Sequence, residues 1–293
     1  MTALQTLRNV SANLATTQNR ISTGQRVATA ADNAAYWSIA TSMRADNAAL
    51  GAVSDSLGLS AATVDTQSTA LEQVLGNGGH SGLAKMQALL VESKTPGIDR
   101  KKIQDDITQI QQDMKNTASA ATFNGVNLLS TTATTPATTN IVSSFSRIGN
   151  TPTINTITVT TANTALYTNT STGILDKVNG TNSVDTIDIS TLTDSAADQT
   201  KLDGFIQQVV TAIGAVTTAA SGLGSIKTRI GNNTEFVKSL MDSVTRGIGQ
   251  LVDADMNAES TRLQALQVQQ QLGVQALSIA NSGSNSILSL FHG

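Results

Sequence analysis

Two seven-residue apolar repeats, one at either end, constrain this chain more than any other feature. Near the start Leu7, Leu14 and Ile21 recur every seventh position, with Ala3, Val10 and Thr17 filling the intermediate seam. Near the end Met256, Leu263, Leu277 and Phe291 keep that spacing. Leu266, Ala280 and Ile287 fall between them, and Gln270, Gly273 and Ser284 are gaps. This three-four alternation puts one narrow apolar stripe on a helix, and the stripe has to be buried against another helix. Pairing the two ends with each other uses only part of it. The seam is also thin, because Ala, Thr, Gln and Gly hold several of its positions. The ends are therefore expected to pack with other copies of the chain through Leu7, Val10, Leu14, Ile21, Leu263, Leu266, Leu277, Ile287, Leu288 and Phe291.

Composition supports long, thin packing layers. Aromatic residues are 3 % and charged residues 13 % of the 293 positions, whereas a thick core relies on large aromatic and branched side chains. A net charge of −3 argues against nucleic acid, which needs a basic patch. With no cysteine there is neither disulfide nor thiolate chemistry. No run approaches the length of apolar chain that spans a bilayer, and no basic segment leads into an apolar one as in a cleavable signal peptide.

Along the chain, helical pattern covers most of residues 3–121. Gly24 ends the first helix, and Thr29-Ala30-Ala31-Asp32 has the form of a capping-box start for the second. Ile39, Met43, Leu50, Val53, Leu57, Val64, Leu71 and Val74 then continue the repeat as far as the breaker Gly76-Asn77-Gly78-Gly79. A third helix spans 82–94 and stops at Thr95-Pro96-Gly97. Ile103, Ile107, Ile110 and Met114 mark a fourth, starting near Asp99. Asn124-Gly125 is a turn dipeptide, and beyond it threonine dominates. Arg147, Asp176 and Lys177 are the only charges from 126 to 182. The alternation of Ile154–Thr161 and the β-branched run Val184–Leu192 predict strands and loops. Helical periodicity resumes at Leu202, pauses at Gly222–Gly224 and continues into the C-terminal seam.

These motifs resemble bacterial flagellin. Leu14-Ala15-Thr16-Thr17-Gln18-Asn19-Arg20-Ile21-Ser22-Thr23-Gly24 is similar to that family's helix-to-turn signature, and Ala30-Ala31-Asp32-Asn33-Ala34-Ala35 to its next element. Thr122-Phe123-Asn124-Gly125-Val126-Asn127-Leu128-Leu129 resembles the exit from its first helical arm. Ala276-Leu277-Ser278-Ile279-Ala280-Asn281 and Ser286-Ile287-Leu288-Ser289-Leu290-Phe291 resemble its last helix.

The resemblance implies a mainly α subunit: a long antiparallel helical rod with coiled-coil-like terminal arms, a helical bundle and a small β-rich insert at the tip. The expected divisions are 1–28 with 257–293 as arms, 29–128 with 200–256 as bundle, and 129–199 as a variable Thr-rich insert. The implied function is self-assembly into the extracellular flagellar filament for motility. Implied partners are further copies of the chain, the flagellar secretion apparatus, a chaperone and a cap protein, with O-linked glycans on the insert and export without a cleavable signal peptide. Rival readings are a hook–filament junction protein and a flagellin-like surface binding protein or adhesin working through the insert. Leu83, Lys85 and Leu89 line up with the patch that a host innate immune receptor recognises in some members. Those members carry Arg and Glu where this chain has Lys85 and Ala88, so a helix face touching other subunits is the better reading.

No catalytic constellation emerges, so no enzyme activity, metal or cofactor is expected. His80 and His292 lack metal-ligand spacing. Asp105-Asp106 and Asp253-Ala254-Asp255 fit solvated helix faces, because neighbouring helical positions do not face one another. Gly76–Gly79 lacks the Lys-Ser/Thr of a phosphate loop. Asn169-Thr170-Ser171, Asn179-Gly180-Thr181 and Asn232-Asn233-Thr234 match the N-glycosylation pattern, which a bacterial source leaves unused.

Overall fold

A heptad without proline predicts unbroken helix, and the computed structural model has six helices among the residues it describes, 2–79, 81–131, 138–148, 151–178 and 182–291. They are α1 (Thr2–Thr23), α2 (Ala34–Leu75), α3 (Leu83–Glu92), α4 (Arg100–Ala120), α5 (Ala196–Val252) and α6 (Met256–Phe291). Among the described residues four strands lie between α4 and α5: β1 (Ser130–Thr131), β2 (Thr138–Ile148), β3 (Thr151–Thr160) and β4 (Tyr167–Thr168). The chain is mainly α with a small strand-containing insert. His80 and His292 lie outside the described residues.

Two compact units result. One comprises residues 1–49 and 240–293, the other residues 50–239, so α2 and α5 each contribute to both. The residues that the sequence sets apart as an insert, 129–199, fall in the second unit together with the bundle helices.

In the first unit the α1–α2 and α5–α6 connections are tied to each other. Gly24 adopts φ +70°, a conformation only glycine takes freely, and so turns the chain out of α1. The amides of Arg26 and Val27 donate to the Val252 carbonyl, and that of Ala254 donates to the Gly24 carbonyl. Val27, Ala40 and Val252 form a small core, flanked by Ile248 and Leu251. The start of α2 differs from the expected capping box. Asp32 accepts from the Ala28 amide, the Thr29 amide and the Thr29 hydroxyl at 2.9–3.1 Å, which closes a turn ahead of the helix. The cap is Asn33, whose Oδ1 accepts from the Ala35 and Tyr36 amides at 3.1 Å.

In the second unit the heptads are buried. On α2, Leu57, Val64 and Leu71 are fully enclosed. On α5, every seventh residue from Leu202 through Val209, Val216, Leu223 and Ile230 to Val237 is exposed by 1 % or less. The predicted pause at Gly222–Gly224 is absent, and α5 runs through it. Leu223 is locked in the core, and that packing outweighs the cost of about 1 kcal/mol per helical glycine. By length and composition α5 could cross a bilayer, but its apolar stripe is spent on this core.

The run 184–192 is not a strand. It holds a single 3-10 turn, Val184–Thr186. Its backbone groups are taken by α4 side chains and not by a neighbouring strand. Gln111 Nε2 donates to the carbonyls of Val184 and Ile187, and Gln104 accepts from the Ile189 amide at 2.8 Å. The buried Arg100 donates to the carbonyls of Ser93 and Leu192 and pairs with Asp194. That guanidinium holds the Asp194 carboxyl below the usual carboxylate range. Val184, Ile187 and Ile189 are thereby buried.

The alternation at 154–161 does form a strand. β2 and β3 make an antiparallel ladder with an irregularity between Val142 and Ser144, and β1 pairs with β4 in parallel. The Asn124-Gly125 turn has both residues at positive φ, 48° and 77°, with Phe123 and Val126 exchanging backbone hydrogen bonds. Gln67 of α2, itself buried, donates to the Ala121 carbonyl at 2.6 Å and docks this turn.

One carboxylate here makes the unit sensitive to pH. Burial holds Asp185 above the usual range, against the pull of Lys115 (Nζ 3.8 Å away) and with a further push from Asp176. Tyr167, whose ring centroid is 6.0 Å from that Nζ, is pushed up by burial and by both aspartates. The folded chain therefore holds the Asp185 proton more tightly than the unfolded chain does. The stabilisation is complete below the unfolded carboxylate pKa and is lost as pH rises through the folded one. Asp185→Asn is expected to melt higher than the parent near neutral pH and to lose that advantage on acidification. A pair of melting-temperature series across pH checks this.

Candidate functional site

The terminal helices form the candidate site, and two contacts fix how they meet. A Cβ added at Gly273 would lie 3.2 Å from Leu7 Cδ1, and Arg20 pairs with Glu259 at 3.0 Å. Early residues of α1 meet late residues of α6 and the reverse, so the pair is antiparallel. This register brings Leu14 level with Leu266 and Val10 level with Gln270. The gap at Gly273 has a steric purpose, since it lets Leu7 approach the α6 backbone.

Burial follows the heptads. Leu266 and Thr17 are buried, while Leu7, Val10, Leu14, Ile21, Leu263 and Leu277 are half-buried. One helix covers part of each seam side chain and leaves the remainder open. Ile287, Leu288 and Phe291 belong to α6, and their side chains lie outside the described residues. At the seam's inner end, Glu259 is buried and sits in the first turn of α6, where a carboxylate is favoured by the helix dipole. Asp255 caps that turn by accepting from the Asn257 and Ala258 amides.

The opposite face of α6 was not singled out by the heptads. Val268, Leu272 and Ile279 are 54 %, 58 % and 71 % exposed. They are four and seven positions apart, so they share one face, turned away from α1. From Leu263 to Phe291 there is no charged residue, and α1 carries only Arg8 and Arg20. The signal was present as a long uncharged run with apolar residues at helical spacing, but the stronger seam masked it.

The other sequence candidates separate. On α3, Leu83 is fully buried beside Met86 and Leu90, Leu89 is half-buried and Lys85 is exposed. Asp105 and Asp106 are solvated on α4, as are Asp253 and Asp255 at the α5–α6 junction.

Comparison with known proteins bears on this arrangement directly. The family model for the bacterial flagellin N-terminal helical region matches residues 1–134, and that for the C-terminal helical region matches residues 206–291. The chain belongs to the flagellin family. It is similar to flagellin C of Rhizobium meliloti (strain 1021), with 42 % identity across 99 % of this chain and 96 % of the relative. It is equally similar, at 42 %, to a flagellin of Brucella melitensis biotype 1, across 100 % of this chain and 96 % of the relative. Flagellin D of Rhizobium meliloti is 36 % identical across 99 % of this chain and 97 % of the relative. The chain is accordingly a structural subunit of the flagellar filament. The two matched regions contain α1 and all of α6 as far as Phe291, the helices that carry the seam.

Proposed function

We propose that the chain polymerises through α1 and α6, with copies covering the open part of the seam and the uncharged outer face of α6. The observation that carries this is the pairing of apolar exposure with absence of charge. An exposed apolar stripe is a solubility liability on a lone chain. In a homopolymer every charge meets its own copies at a fixed spacing, so an interface without charges avoids repulsion that the repeat would multiply. Leu7, Val10, Leu14, Ile21, Leu263, Leu266 and Leu277 thus serve twice, within the chain and toward neighbours. Ile287, Leu288 and Phe291, further along α6, are assigned to the same contact between copies.

Family membership supports the rest of the reading. The filament lies outside the cell, and the chain leaves through the flagellum's own channel, escorted by a chaperone and added beneath a cap protein. Residues 129–199 form the variable portion. The exposed hydroxyls of Thr151, Thr153 and Thr156 on β3 offer acceptors for O-linked sugars. The role is mechanical, without catalysis.

Sedimentation and electron microscopy test the proposal. Purified chain in ammonium sulfate, which strengthens apolar burial, is expected to pellet as filaments above a critical concentration. A chain lacking residues 263–293 is expected to stay in the supernatant. Filaments of normal length from the truncated chain would remove α6 from the interface.

A further inference from the structure

The end of β3 and the turn after it face one side of α5 across a cleft of about 460 Å³, a size within the ~300–1,000 Å³ typical of small-molecule sites. Thr218, Gly222 and Ile226 line it from α5 at four-residue spacing, so they share one helix face. The inner wall is apolar and closed. Val159 is 2 % and Ala219 3 % exposed, and Ile226 is half-buried beside them. Hydroxyl and carboxamide groups make up the remainder: Thr158, Thr160 and Asn163, with Thr164 buried among them.

Three of these hydroxyls have their protons engaged. Thr158 donates to Asn140 Oδ1 at 3.1 Å, Thr164 to the Leu128 carbonyl at 2.9 Å and Thr218 to the Gly214 carbonyl at 2.9 Å. A hydroxyl has one donor and two acceptor lone pairs, so each of the three can still accept. Thr160 makes no side-chain capping bond to the turn that follows it. The exposed carboxamide of Asn163 offers donors and an acceptor together. Among the described lining residues none is charged.

Gly222 lies mid-helix, where glycine is the least favoured residue after proline. A Cβ there would meet nothing within 4 Å, so no close approach calls for glycine, and its missing side chain keeps the cleft open. We infer that this cleft is a binding site for a neutral hexose. A sugar ring has an apolar C–H face and a rim of hydroxyls, and the cleft matches both. The C–H face rests on Val159, Ala219 and Ile226. The hydroxyls donate to the three engaged threonines and exchange hydrogen bonds with Thr160 and Asn163. A phosphate or carboxylate would find no cation there, and a metal ion no carboxylate. The cleft belongs to the unit of residues 50–239, so the inference stands independently of assembly through the terminal helices.

Saturation-transfer difference NMR on the full-length, unpolymerised chain tests this, with D-glucose, D-galactose and D-mannose as separate probes. Saturable transfer to at least one of them is expected. Gly222→Leu places a side chain in the cleft and is expected to abolish the transfer. It should melt at or above the parent's temperature, because leucine is the better helix former. Asn163→Ala removes an exposed carboxamide, so it is expected to leave melting unchanged and to weaken binding several-fold. No transfer to any of the three sugars overturns the inference. Transfer that persists undiminished in a Gly222→Leu chain of normal melting overturns it as well. If that chain does not fold, Asn163→Ala decides: binding equal to the parent's overturns the site, and a several-fold loss supports it. None of these outcomes bears on polymerisation through α1 and α6.

Discussion

A chain carrying Leu272→Asp is expected to fold and melt like the parent, yet to require a far higher concentration to polymerise. Leu272 is 58 % exposed on the free chain and faces away from α1, so a charge there meets water and changes stability by no more than a typical surface substitution, about 0.5 kcal/mol. In a filament assembled as proposed the same position is covered, and an unpaired carboxylate taken out of water costs about 3 kcal/mol or more. Each 1.4 kcal/mol is tenfold in an equilibrium constant, so the critical concentration should rise by roughly a hundredfold. Ile279→Asp should behave alike. Unchanged growth by a Leu272→Asp chain of normal melting temperature would place the outer face of α6 in solvent.

The reverse dissociation is expected in the bundle. Leu57 is fully enclosed, and alanine there removes buried methyl groups and leaves a cavity, which costs about 2–5 kcal/mol. For a unit of this size that corresponds to a fall in melting temperature of roughly 10 °C. Filaments grown well below the new transition should keep the parent's critical concentration, because Leu57 lies in the unit of residues 50–239, not with the terminal helices. Calorimetry on the free chain and pelleting of the polymer separate the two quantities. A large rise in critical concentration without a change in melting would make Leu57 a contact between copies.

Much of this architecture was legible because period and core coincide. The apolar repeat from Leu50 to Val74 on α2 and the sevenfold spacing from Leu202 on α5 are the buried stripe itself, although Ile39, read as part of the same α2 repeat, is exposed, and the repeats at the two ends meet each other. Local side-chain chemistry was harder to anticipate. Thr29–Asp32 has the letters of a capping box, but the carboxylate folds back on Ala28 and Thr29 while Asn33 takes the cap. The β-branched run 184–192 has strand propensity, but its backbone partners are Gln104, Gln111 and Arg100, brought in from about 80 residues away. Such pairings depend on tertiary placement, which propensity does not encode. The outer face of α6 was missed for another reason. A heptad shows which side of a helix its own chain buries, whereas this face is marked mainly by what it lacks.

Hydrogen exchange, compared between free chain and filament, tests the central claim most directly. The α1–α6 pair is covered on one face only, so its amides should open readily on the free chain, while those of 57–71 and 202–237 are held by the core. On polymerisation, protection of residues 4–21 and 263–279 is expected to rise by orders of magnitude, with the core amides unchanged. Filaments whose terminal amides exchange as fast as those of the free chain would contradict assembly through α1 and α6.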